Sequence, residues 1–449
     1  MFANEKLLAL RKPLLVDKSL ATRLFLPSVL PLGITAFYTV PALISFLIGS
    51  DPKASVVLLL SLACTVLYLF FWVSRIDVLM FDFIYSCRKK YLGLRKLAWW
   101  VFSSYFVLMA YVSYTAPSIP LFDSVKGMDI QTIADGRETF LRARVGVEVV
   151  LSYLYSMFRS FLMPFAVCIL YQTESRLRHA VLLTFLLSLM LTLEKSLSVL
   201  ALLPLFYLFT QKRNYRMAAI LLLVTVTAIA TTSFLARGGL ADYPHTAGAA
   251  VQVGAGEGSG KNAKDLRQSA HTVPAKYNMF SGNSQVEYVL NRVFYIPYIT
   301  AHEWLRYQHE VMNGEFTLGR SISIIAAVLG EKKISLEKEV FGFQWGQNET
   351  STGSANTAYF IDAYLNFGFA GCLLYTLVIV CILRLAIMSD IAILQACVFV
   401  PLIFLLFNSL TAMIFSGGLF VLVFLALFIS GVHPPSASQS HKCPASCIG

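Results

Sequence analysis

Apolar residues occur along this chain in long runs that are separated by short polar stretches. An α-helix needs roughly 20 mostly apolar residues to cross a bilayer core of about 30 Å. Ten runs meet or approach that length, which predicts an all-α polytopic membrane protein with about ten transmembrane helices. The predicted spans are about 24–49, 55–74, 97–115, 148–171, 179–193, 196–210, 217–236, 357–383, 391–408 and 411–431.

The fifth and sixth spans are short and meet at two charged residues. Glu194 and Lys195 lie in the stretch LTLEKSLSVLALLP, and residues 182–209 carry no other charge. Charges inside a membrane segment are costly and are functional candidates by default. Two interpretations stay open: the two charges belong to a functional site, or they form the tip of a tight hairpin in which Lys195 pairs with Glu194.

Lysine and arginine predict the orientation of the chain. They collect in the N-terminal segment and in the connections after the second, fourth, sixth and eighth spans. Basic loops favour the cytoplasmic side, so ten spans place both termini in the cytoplasm and Glu194 on the outer side. The net charge of +11 is explained in the same way, and no nucleic-acid partner is predicted. A hydrophobic fraction of 57% with only 14% charged residues excludes an ordinary soluble domain.

Four segments follow from this topology. Residues 1–236 hold the first seven helices, with a first outer loop at about 116–147, and residues 237–356 form a large outer loop. Residues 357–431 hold the last three helices, and residues 432–449 are expected to be a disordered cytoplasmic tail. The large loop begins Gly- and Ala-rich and later shows helical spacing, so short helices are expected there. Pro297 is expected to kink or end the helix that it follows.

Arginines collect in or beside the outer loops. The planar guanidinium binds phosphate through two parallel hydrogen bonds, so these residues are candidates for binding a lipid-linked pyrophosphate. The alternatives are snorkelling at a helix end for Arg142 and Arg144, and a solvated helix face for Arg292. Arg159 lies about ten residues inside the fourth span, and its alternative is a structural pair with a neighbouring carboxylate. The candidates are Arg137, Arg142, Arg144, Arg159, Arg292, Arg306 and Arg320.

Candidates for acid–base chemistry are fewer. The stretch HEWLRYQHE lacks the H-E-x-x-H spacing of a zinc site, so His302 and Glu303 are candidates for a proton shuttle or a sugar contact instead of a metal site. Asp362, in AYFIDAYLNFG, starts the eighth span near Tyr359. It is a candidate base or sugar ligand, with an ion pair to an arginine such as Arg159 as the alternative. Neither a metal nor a cofactor is predicted.

Three stretches resemble the Wzy-type polymerases of bacterial oligosaccharide repeat units. LTLEKSLSVLALL is similar to a short outer turn of that family, and GEFTLGRSISIIAAVLG is similar to a segment late in its large periplasmic loop. STGSANTAYFIDAYLNFGFAGCLLYT is similar to the entry to the next span, where an acidic residue precedes an aromatic-Gly-x-x-Gly pattern. The positions of that pattern here are Asp362, Phe367, Gly368 and Gly371.

The resemblance implies a GT-C-like fold and a glycosyltransferase at the periplasmic face of the bacterial inner membrane. Such an enzyme moves a growing glycan from undecaprenyl pyrophosphate onto an incoming undecaprenyl-pyrophosphate-linked unit, without a metal. The resemblance gives the pyrophosphate role to Lys195 by motif, and to Arg292, Arg142 and Arg144 by location only. Membrane lipid, a chain-length regulator and a flippase are the further partners that it implies.

Two other functions stay open. The related O-antigen ligases place a His–Asn pair near the entry to the span after the large loop, whereas Asn356 is preceded here by Ala355. This difference favours a polymerase over a ligase. A lipid-linked oligosaccharide flippase would be supported by internal repeats, and we find none in the sequence.

Overall fold

The computed structural model describes residues 20–48, 53–74, 90–91, 93–128, 130–142, 144, 148–235, 291–345, 354–389 and 392–430. Across these residues the chain is helical, apart from two short strands, β1 (Lys90–Tyr91) and β2 (Ile429–Ser430), which pair in parallel. The Gly- and Ala-rich part of the large loop and the tail at 432–449 lie outside the described residues.

The helices follow the predicted spans closely. In chain order they are α1 (Leu20–Ile34), π1 (Thr35–Thr39), α2 (Val40–Leu47), α3 (Lys53–Val73), α4 (Leu94–Thr115), α5 (Pro120–Val125), α6 (Ile130–Arg142), α7 (Val149–Met157), π2 (Phe158–Leu162), α8 (Met163–Gln172), α9 (Arg178–Met190), α10 (Lys195–Gln211) and α11 (Tyr215–Leu235). After the undescribed part of the large loop come π3 (Asn291–Tyr295), α12 (Ile296–Glu310), α13 (Ser323–Leu329), α14 (Leu336–Trp345), α15 (Tyr359–Met388), α16 (Ala392–Phe404), α17 (Leu410–Phe415) and α18 (Leu419–Phe428).

Six helices of the described chain are long and apolar enough to cross a membrane, so the protein is an α-helical membrane protein. Shorter apolar helices occupy the positions of the other four predicted spans, at Arg178–Met190, Ala201–Gln211, Ile393–Phe404 and Leu419–Phe428. The count of ten spans therefore stays a prediction. Large apolar side chains such as Val73, Val107 and Phe420 are exposed on the outside of the bundle. In a soluble protein so much exposed apolar surface would be unusual, whereas lipid covers it in a membrane.

Each of the three π-helical segments in the described chain precedes a proline. Pro41, Pro164 and Pro297 are each the second residue of the α-helix that follows the π segment. Proline lacks an N–H, and its ring clashes with the carbonyl four residues earlier. A local widening of the helix to π geometry accommodates both effects. Of the two outcomes expected at Pro297, a kink or the end of its helix, the second does not occur, because π3 continues directly into α12.

Helix α15 is kinked inside the membrane region. Gly368 has φ +63° and ψ −150°, which interrupts the helical hydrogen bonds of the preceding turn. The carbonyls of Leu365 and Asn366 accept hydrogen bonds from the backbone N–H groups of Thr317 and Leu318 instead, at 3.0 and 2.9 Å. The loop between α12 and α13 therefore replaces the bonds that the kink removes. Unsatisfied backbone groups are expensive in a membrane, and this replacement makes the kink tolerable.

Candidate functional site

A cavity of about 680 Å³ lies where α12 and α14 meet the longer apolar helices of the bundle. Its walls come from π2, the junction of α9 with α10, the start of α12, α14, residues 354–356, and the chain from the end of α16 to the turn after α17. Binding pockets for small molecules usually measure about 300–1,000 Å³. The cavity is therefore large enough for a pyrophosphate with one or two sugar rings.

Arg159 enters this cavity from the π2 segment. Its side chain is buried, and its guanidinium carbon lies 5.3 Å from the centre of the Tyr155 ring. Nη2 lies 3.3 Å from Oε2 of Glu194. Nε and Nη1 have no hydrogen-bond partner of ordinary geometry among the described residues, although the Tyr155 side chain interacts with the guanidinium. The guanidinium therefore has two N–H groups to offer to a ligand, whereas buried donors in proteins are normally satisfied.

Glu194 lies at the junction of α9 and α10. It is the N-cap of α10, but its side chain does not bond back to that helix and instead reaches Arg159. The preceding residue, Leu193, is buried with φ +51°, a conformation that is strained for leucine. The first N–H groups of a helix are unsatisfied within it and carry a partial positive charge. The start of α10 therefore adds positive potential beside Arg159.

Arg137, on α6, is a second cation close to Glu194. Burial lowers the pKa of the Arg137 guanidinium, and the negative charge of Glu194 opposes that effect. Nε and Nη2 of Arg137 form no hydrogen bond within the described chain. Two guanidinium groups thus act on a single carboxylate. Arg137 does not itself line the cavity, so its positive charge acts on the site from behind Glu194.

The structure corrects one predicted alternative. Asp362 does not pair with Arg159, because the carboxylate beside that guanidinium belongs to Glu194. Asp362 is buried at the start of α15, where its Oδ1 accepts a 3.2 Å hydrogen bond from Nδ2 of Asn366. The side-chain Oδ1 of Asn366 accepts in turn from the hydroxyls of Thr317 and Ser321, both at 2.7 Å. Asp362 thus supports the kink of α15 and does not line the cavity.

Tyr359 and the His302–Glu303 pair are also placed away from the cavity lining. The hydroxyl of Tyr359 lies 3.3 Å from that of Thr376, inside the bundle. His302 and Glu303 are buried in α12, with Nδ1 and Oε1 separated by 3.8 Å. Within the described chain, no group of three His, Cys, Asp or Glu side chains has the arrangement of a metal site.

Two of the predicted arginines bond to protein groups outside the cavity. Arg144 donates to the carbonyl of Val112 and the hydroxyl of Thr115, at 3.0 and 2.8 Å, near the C-terminal end of α4. Arg320 contacts Glu331 at 3.2 Å, on the surface. These two residues satisfy helix and loop groups outside the cavity.

Arg306 belongs to a surface network on α12. It contacts Glu303 at 3.3 Å and Glu310 at 2.9 Å, and it stacks over the ring of Phe343.

Three further candidates cannot be placed at the level of contacts. The side chains of Lys195, Arg142 and Arg292 lie outside the part of the structure that is described, although Lys195 is the first residue of α10 and directly follows Glu194.

The cavity also contains residues that sequence reasoning missed. Gln344, Asn408 and Ser160 line it, and they come from three segments that are far apart in the chain. Of these three residues, Asn408 could have been found from the sequence, because it is a lone amide between two apolar runs in PLIFLLFNSLTAMIF. Comparisons with known protein families, with curated proteins and with solved structures found no match for the chain.

Proposed function

We propose that the protein is a GT-C-like membrane glycosyltransferase that polymerises oligosaccharide repeat units carried on undecaprenyl pyrophosphate. In this proposal the chain crosses the bacterial inner membrane ten times, both termini are cytoplasmic, and the cavity opens on the periplasmic side. The growing glycan is transferred to the terminal sugar of the incoming unit, and the pyrophosphate carrier is the leaving group.

The observation that carries the proposal is the buried guanidinium of Arg159 with two N–H groups unused by the described chain. A buried arginine without full hydrogen bonding is costly unless a ligand completes its bonds. Its planar fork matches two oxygens of a phosphate. Arg137 acts on Glu194 from outside the cavity lining, the start of α10 adds positive potential beside Arg159, and the motif likeness adds Lys195.

The proposed reaction breaks the bond between the anomeric carbon of the growing glycan and an oxygen of the pyrophosphate. A new bond forms from that carbon to a hydroxyl of the acceptor sugar, and the proton of this hydroxyl passes to a carboxylate, for which Glu194 is the nearest candidate. Negative charge grows on the departing pyrophosphate. Arg159 and Arg137 are held in place before the reaction, so they stabilise that charge without reorganisation.

The test uses cells that lack the gene and are complemented with wild type, Arg159→Ala or Arg159→Lys. Their surface polysaccharide is separated by gel electrophoresis, where polymers of different lengths form a ladder of bands. We expect Arg159→Ala to lower polymerisation by about 10²–10³-fold, as for loss of one preorganised donor, so that the ladder collapses to single repeat units. Arg159→Lys keeps the charge and loses the fork, and we expect an intermediate defect. Arg320→Ala is the matched control, since Arg320 pairs with Glu331 outside the cavity.

Immunoblots of membrane fractions verify that each variant is present at wild-type levels. A normal ladder from Arg159→Ala at normal abundance refutes the proposal. In cells without the gene, loss of all attached glycan with polymer still built on the carrier identifies a ligase. Loss of every outward-facing lipid-linked unit identifies a flippase.

A further inference from the structure

The part of the cavity wall away from Arg159 and Glu194 carries no charged side chain. It combines amide side chains with aromatic rings, and the lining residues that matter here are Asn356, Asn408, Phe404 and Phe407. Amides donate and accept hydrogen bonds at once, and sugar hydroxyls do the same. The electron-rich face of an aromatic ring attracts the C–H groups on the face of a pyranose. The combination is suited to a sugar ring.

The two asparagines offer complementary groups. Nδ2 of Asn408 donates to the carbonyl of Phe404 at 3.2 Å, and its carbonyl oxygen has no other partner in the described chain. Oδ1 of Asn356 accepts from the hydroxyl of Ser354 at 2.8 Å, and its Nδ2 has no further bond to a described residue. Asn408 therefore presents an acceptor and Asn356 presents a donor to the same cavity.

Three hydrogen bonds fix the backbone around Asn356. Trp304 donates from its indole N–H to the carbonyl of Ala355 at 2.8 Å, and the N–H of Ala355 donates to the carbonyl of Glu337 at 2.9 Å. The N–H of Tyr359 donates to the carbonyl of Leu405 at 3.0 Å, which ties this segment to the end of α16. The donor and the acceptor thus stand on connected, anchored segments, as a preorganised binding site requires.

We propose that Asn356 and Asn408 bind the pyranose that is joined directly to the pyrophosphate, with Phe404 and Phe407 packed against its ring. The proposal rests on the function proposed above and adds to it the part of the protein that recognises the sugar. Arg159 binds the pyrophosphate. Asn356 and Asn408, which we call the amide wall, add affinity only when a sugar is attached. Mutations can therefore separate the contribution of the pyrophosphate to the binding free energy from that of the sugar.

The test is a titration of the purified full-length protein in nanodiscs with two probes. One is farnesyl pyrophosphate, and the other is farnesyl pyrophosphate that carries N-acetylglucosamine or glucose on its terminal phosphate. We expect the attached sugar to raise the affinity of the wild type by about tenfold or more. Asn408→Ala and Asn356→Leu should each remove about three- to tenfold of that gain, the effect of one neutral hydrogen bond. Neither variant should change the affinity for farnesyl pyrophosphate by more than about twofold.

Gln172→Ala is the control, because Gln172 is an exposed amide at the end of α8, outside the cavity lining. Asn356→Leu carries the test if Asn408→Ala does not fold, since Asn356 is exposed and Leu has nearly its shape. If the sugar adds no affinity, or if the variants keep the gain, the amide wall is not a sugar site and the proposed function still stands. If farnesyl pyrophosphate does not bind, or binds to Arg159→Ala as tightly as to the wild type, both proposals are refuted.

Discussion

Nη2 of Arg159 lies 3.3 Å from Oε2 of Glu194, and this contact joins the middle of one predicted span to the junction of two others. The arginine reaches the junction from a helix that is widened to π geometry ahead of Pro164. The glutamate is free to meet it because its side chain does not cap α10. One carboxylate satisfies only part of the guanidinium. The pair therefore anchors Arg159 and also leaves it able to bind an anion.

Glu194 competes with any anion for Arg159, so replacing it with glutamine is expected to tighten the binding of inorganic pyrophosphate. Removing a negative charge beside a cation site favours an incoming anion, and we expect a gain of about three- to tenfold. Isothermal titration of Glu194→Gln in detergent measures it. Glu331→Gln is the control, because Glu331 pairs with Arg320 on the surface. Weaker binding by Glu194→Gln would show that the carboxylate supports the anion site indirectly.

Gly368→Ala is expected to destabilise the protein by about 1–3 kcal/mol. The φ of +63° with ψ −150° is a conformation that only glycine adopts readily. An added Cβ would also lie 3.2 Å from the ring of Phe316. Thermal unfolding in detergent measures the loss.

Gly93→Ala is the matched control for this substitution. Gly93 has φ −62°, and the nearest atom to an added Cβ lies 3.9 Å away. Gly93 is the N-cap of α4, where glycine is favoured over alanine, while alanine also restricts the unfolded chain, so we expect a change of less than about 1 kcal/mol there. Equal melting temperatures for Gly368→Ala and wild type would contradict the kinked geometry of α15.

Glu310 gives the surface network of α12 a defined pH dependence. The hydrogen bond from Arg306 and the charges of Arg306 and Lys53 lower the pKa of the Glu310 carboxyl. A lowered pKa in the folded state means that the stabilisation is complete above the ordinary carboxyl pKa and is lost as the pH falls through the folded value.

We therefore expect Glu310→Gln to be slightly less stable than wild type near neutral pH. The difference should shrink as the pH is lowered below the usual range of a glutamate. Thermal unfolding of both proteins across acidic pH measures it, and the difference should also weaken with added salt. A difference that stays constant with pH would show that the charge of Glu310 contributes nothing.

Local rules explain why the helices were predictable. The segments predicted as spans at 179–193 and 196–210 form the separate helices Arg178–Met190 and Lys195–Gln211, with the break beside Glu194. Both are shorter than the six helices that are long enough to cross a membrane, so their role as spans stays a prediction. Pro297 does not end its helix, which was one of the two outcomes predicted from the isolated segment. A π segment absorbs the proline where the surrounding structure allows the wider turn.

By itself, the sequence determined that this is a helical membrane protein and that Glu194 and the outer arginines are candidates, since apolar runs and costly charges are properties of single segments. Only the tertiary structure decided which of these arginines lines the cavity. Arg144 and Arg320 bond to protein groups outside the cavity, whereas Arg159 enters the cavity and keeps two nitrogens, Nε and Nη1, without a partner among the described residues. The reason is physical: a hydrogen bond between distant segments depends on how helices pack, and residue type and spacing do not report that packing.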